Sequence, residues 1–72
     1  MAVRDLADQL RMDVDRAAPG YRMVTIHLFG IKHEPELRGV PLPEVVAEAG
    51  LQKSLAVEVH KGMRLAEFVR VK

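Results

Sequence analysis

Gly50 divides two short aliphatic runs, PEVVAEA (43–49) and LQKSLAVEVHK (51–61), and this junction narrows the available folds more than any other feature. Two helices that cross closely need a turn residue that accepts positive φ, which glycine does without steric cost. They also need aliphatic side chains facing each other across the turn. Val45 and Val46 are spaced to face the crossing, Ala49 precedes the turn, Leu51 can plug it, and Ala56 and Val59 fall inward on the second helix. The spacing predicts a helix-turn-helix over Pro43–Lys61. Two positions depart from the usual pattern. The close-approach site four before the glycine is Val46 rather than alanine, and the first inward site after the turn is Ala56 rather than valine or isoleucine.

The rest of the chain reads as helical. Val3, Leu6, Leu10 and Val14 recur at spacings of three and four, giving one apolar stripe on a first helix over Met1–Ala18. Arg4 with Asp8, and Arg11 with Asp15, fall four apart on its wet side. Pro19-Gly20 stops it. Tyr21–His33 (YRMVTIHLFGIKH) is apolar nearly all round, and periodicity alone fits a central helix or a strand. Glu34–Pro43 holds three prolines and a glycine, so it predicts a turn with a short helical turn at Pro35–Leu37. Pro43 suits the first turn of the next helix, where its missing N–H costs nothing, and Gly50 a left-handed stop. Gly62 is expected to close or kink the helix after the turn. A short last helix from Met63 is expected to give way to an extended tail at Phe68–Lys72.

Size and chemistry exclude much. A chain of 72 residues makes one small domain, 1–72, with a marginal core. Only Tyr21, Phe29 and Phe68 are aromatic, so the core must be aliphatic, with Met12, Met23 and Met63 as gap-fillers. Without cysteine there is no disulfide or thiolate metal site to staple it, which leaves self-association as a source of stability. The charged first segment resembles no signal peptide, and no apolar run approaches the length of a membrane helix, so a cytoplasmic protein is expected. His27, His33 and His60 are not four apart from one another, and the lone serine, Ser54, has no oriented base. His27 reads as a hydrogen-bonded core histidine. Gly30, Gly50 and Gly62 are isolated, so no phosphate loop occurs. No metal, cofactor or enzymatic activity is expected.

The outward positions of the second helix carry the functional reading. In repressor-type proteins its early residues point at base edges. Gln52 can pair with adenine, Lys53 can reach guanine or a phosphate, and Ser54 can donate to a phosphate oxygen. Lys61 and Arg64 supply further phosphate contacts, and Glu58 can face a base only by accepting from a cytosine N4. Charge is skewed along the chain, with six Lys/Arg against eight Asp/Glu up to Gly50 and five against two after it. The formal net charge is nevertheless only +1. Helix–glycine–helix also occurs in proteins that never touch nucleic acid, so a protein–protein interaction module stands as the rival. A positive stripe through Lys53, Lys61 and Arg64 favours DNA; a stripe broken by Glu44, Glu48 and Glu58 favours the rival.

IHLFGIKHEPEL together with AGLQKSLAVEVHKGMRLAEFV resembles a family of small bacterial proteins described as HTH-like domains. The matching positions are Ile26–Ile31, Ala49, Gly50, Ser54, Glu58, Lys61–Met63, Leu65, Ala66, Phe68 and Val69, spread over most of the chain. His33 departs from the family's aromatic residue, and Ala56-Val57 from a more polar pair that includes threonine. The resemblance implies a helix for Tyr21–His33, an all-α bundle of about five short helices, and a DNA-binding role; a transcriptional regulator follows if binding is sequence-specific. A single unit with few cations should bind weakly, so double-stranded DNA is the expected partner of a homodimer, or of this chain joined to a protein partner.

Overall fold

The computed structural model describes residues 3–72. It contains α1 (Val3–Arg16), α2 (Arg22–Lys32), α3 (Glu34–Leu37), α4 (Leu42–Glu48), a 3-10 turn (Lys53–Leu55) and α5 (Ala56–Leu65), with no strand among the described residues. The fold is therefore an all-helical bundle, as expected. Residues 1–2 of the expected first helix lie outside the described residues.

The apolar stripe of α1 packs as its spacing predicts. Leu6 and Leu10 are fully buried, with Val3 and Val14 packed at the margins of the core. On the wet side Arg11 and Asp15 approach to 4.0 Å. Tyr21–His33 resolves to helix, and Ile26 and Phe29 point into the core. A helix satisfies its own backbone hydrogen bonds, whereas a strand here would have no neighbour to pair with. Leu37 closes the core from the short α3. The core is aliphatic apart from Phe29, whose ring lies 4.8 Å from that of His33. Burying side chains of this size stabilises by about 1.5–3 kcal/mol each before the cost of ordering them. Met12 and Met23 are not gap-fillers: both are more than two-fifths exposed, and only Met63 packs against the core.

The turn after α4 is a Schellman motif. Leu51 N–H donates to the Val46 carbonyl at 2.9 Å, and Gly50 N–H to the Ala47 carbonyl at 3.0 Å. Both bonds satisfy carbonyls that the helix end leaves open, and they require the left-handed φ of +80° found at Gly50. Leu51 packs back against the core, as a plug should. Gln52 then takes an extended conformation, and Lys53–Leu55 winds as 3-10, with Leu55 N–H donating to Gln52 at 3.0 Å. The α-helix proper thus begins at Ala56, four residues later than a helix starting at Gln52.

Gly62 neither closes nor kinks α5. The helix runs through it to Leu65, and no separate helix follows; Ala66–Phe68 form a turn, and Val69–Lys72 have no regular structure. The reason lies across the bundle. A Cβ on Gly62 would overlap the His27 carbonyl oxygen and stand 3.0 Å from the Cα of Gly30. A Cβ on Gly30 would overlap the Val59 carbonyl oxygen and stand 2.9 Å from Gly62 Cα. The two glycines let α2 and α5 cross backbone against backbone.

Candidate nucleic-acid interface

The α2–α5 crossing and the Gly50 turn together set which side of α5 faces out. Val59 and Gly62 are buried, so the opposite stripe is solvent-facing. That stripe carries Val57, Lys61 and Arg64 at spacings of four and three, all exposed, with exposed Lys53 leading into it four residues before Val57. Gln52 and Ser54 are also exposed beside the 3-10 turn. Of the six residues expected to meet DNA, five (Gln52, Lys53, Ser54, Lys61 and Arg64) are thus exposed. Val57 adds an apolar group to the middle of the stripe, 58 % exposed.

Glu58 differs from the other five. It is half-buried, and both carboxylate oxygens are engaged within the protein. His27 Nε2 lies 2.8 Å from Oε1, and Lys61 Nζ donates to Oε2 at 3.3 Å. An ionised carboxylate only accepts, so His27 carries its proton on Nε2 in this pair. The His27 hydrogen bond, then that of Lys61, holds the Glu58 carboxyl below the usual carboxylate range. Glu58 therefore ties α5 to α2 beside the glycine crossing and does not project into a groove. His27 is hydrogen-bonded as expected, but it sits half-buried beside the α2–α5 crossing and not in the core, and its partner is 31 residues away.

Charge around the stripe is mixed. Lys53 shares a shallow hollow with Glu44, Glu48 and Val3. Near the other end, Arg64 shares a hollow with His60, Glu67 and the Glu34–Arg38 pair. Arg38 donates from Nε and Nη2 to the two oxygens of Glu34, both at 2.7 Å, and this fork holds the Glu34 carboxyl below its ordinary range. Among the described residues no three His, Asp or Glu side chains cluster as metal ligands would, and no helix is long and apolar enough to cross a membrane.

Sequence reasoning read His27 as hydrogen-bonded but missed its pairing with Glu58, and it missed the glycine pair. The signal was present in spacing: His27 precedes Gly30 by three and Glu58 precedes Gly62 by four, so each polar group lies one turn from its glycine. Helix pairing between the two segments was the missing knowledge.

No curated protein sequence and no solved structure matches this chain. A family model described as HTH-like domain matches residues 2–72. With its two-helix turn at Gly50 and a match across nearly its whole length, the chain belongs to the HTH-like domain family.

Proposed function

We propose that this chain binds double-stranded DNA, with the outer stripe of α5 lying along the major groove. The observation that carries the reading is the orientation of α5: the Gly50 turn and the glycine crossing leave Lys53, Val57, Lys61 and Arg64 free of the core on one side. Lys53, Lys61 and Arg64 meet phosphates, which fix register and orientation. Gln52 and Ser54, at the leading end, reach base edges or a phosphate, and Val57 suits a thymine methyl group. Glu58 takes no base; it positions α5 and keeps its charge off the groove. The 3.3 Å Lys61–Glu58 contact is a surface pair, weak enough for Lys61 to exchange it for phosphate. The protein acts here as a bacterial cytoplasmic regulator, without catalysis or cofactor.

A second reading, a protein-binding module that keeps the helix-turn-helix shape, is favoured by one observation. Glu44 and Glu48 flank Lys53, which weakens the positive stripe at its leading end. Fluorescence anisotropy with a labelled mixed-sequence duplex separates the two. Binding that weakens steeply with salt supports the DNA reading. Absence of binding at low salt supports the module.

A further inference from the structure

The large apolar side chains that the fold leaves exposed are concentrated in two segments. Of ten large hydrophobic side chains exposed among the described residues, eight fall in Tyr21–Leu28 and Leu65–Val71. The glycine crossing sets α2 beside α5, so that His27 of the first segment lies with Leu65 and Phe68 of the second. Val24 and Ile31 lie one turn either side of His27 on α2, with Leu28 beside them. His27 in turn lines one open hollow of about 420 Å³ with Leu65, Phe68, Lys61 and Arg64. Phe68 is 79 % exposed, the most of any large hydrophobic side chain among the described residues. The core closes without any of these side chains.

We propose that a second copy of this chain docks on this face, burying Val24, Leu28, Leu65 and Phe68 with Tyr21 at the edge. The area decides the occupant. At about 150–200 Å² for a fully exposed side chain of this size, the five present roughly 400–500 Å² of largely apolar surface. A standard interface buries about 800 Å² per partner, of which roughly 56–65 % is apolar, and so needs about the same. A two-fold contact sets this patch against itself, so one patch supplies both halves. Phe68 is the anchor, a large aromatic with no competing contact. Lys61 and Arg64 line the hollow beside Leu65 and Phe68 and form its basic rim. Like charges then face each other across the rim, and added salt tightens the dimer by screening them. This is opposite in sign to the effect of salt on DNA binding, and the inference rests on apolar exposure alone, not on the DNA reading.

Sedimentation equilibrium tests it on the full chain at about 0.05 M and about 0.5 M salt. The expected result is a dimer with a Kd of roughly 10 µM, tighter at the higher salt. Phe68→Asp and Leu28→Asp should each weaken it about tenfold or more, while Met12→Glu, on α1, leaves it unchanged. Circular dichroism establishes that each variant keeps its helices, and the wild-type series stands without them. A wild-type chain that stays monomeric up to about 1 mM overturns the proposal and leaves a different protein as the occupant. A dimer that Phe68→Asp leaves intact overturns it as well.

Discussion

Gly30 and Gly62 meet backbone to backbone where α2 crosses α5: a Cβ on either would come within 3.0 Å of the other's Cα. This contact sets the separation of the two most extensively packed helices, and hence the direction in which the stripe of α5 faces. On helix propensity alone, Gly62→Ala should stabilise α5 by about 1 kcal/mol. Packing predicts the reverse. The new methyl meets backbone, which cannot move aside as a flexible side chain could, so Gly62→Ala and Gly30→Ala should each destabilise by about 3 kcal/mol. Urea unfolding of both variants decides between the two.

The turn makes a separate demand. Gly50 holds φ at +80° with open space around its Cα, so a side chain there meets strain and no clash. Gly50→Ala should cost about 1–2 kcal/mol, and Gly50→Asn less, because asparagine tolerates the left-handed region better. Thermal unfolding of the pair against wild type measures the difference.

The His27–Glu58 contact predicts a pH dependence with a definite sign. The Glu58 carboxyl titrates below its ordinary value in the folded chain. Its contribution to stability is therefore present above the unfolded carboxylate pKa of about 4.3 and is lost as pH falls through the lower folded value. Wild type should exceed Glu58→Gln in urea midpoint near neutral pH, with the gap closing at about pH 4 and below. Glu34, lowered by Arg38, titrates in the same direction in both proteins, so the difference between them isolates Glu58.

Phosphate contacts have their own signature. Lys61→Ala and Arg64→Ala should each reduce the slope of log affinity against log salt by about 1, across all duplex sequences alike. Gln52→Ala should instead change preference among sequences while leaving the slope in place. Anisotropy titrations over a salt series measure both quantities.

Much of this architecture was legible in the residues. The three-four spacing of Val3, Leu6, Leu10 and Val14 marks α1, and a glycine between aliphatic runs marks the turn at Gly50. Both are local signals, readable within a dozen residues. What escaped was long-range. Gly62 looked like a stop because glycine is a poor helix former, and only its apposition to Gly30 explains why it sits inside α5. Glu58 looked like an awkward acid on a groove-facing helix until His27 appeared 31 residues away. The start of α5 at Ala56 instead of Gln52 follows from the Schellman exit, which leaves Gln52 extended. Exposed Val24 and Leu28 read as part of a central, buried segment from hydropathy alone, since an interface face and a core face share the same composition.

The orientation of α5 toward DNA is most directly tested by an NMR titration of the labelled protein with a mixed-sequence duplex, at low and then moderate salt. The account predicts amide shifts clustered on Gln52, Lys53, Ser54, Val57, Lys61 and Arg64 that fade as salt rises, with the buried face of α5 at Val59 and Gly62 little changed. Shifts confined to other surfaces, or none even at low salt, would contradict it.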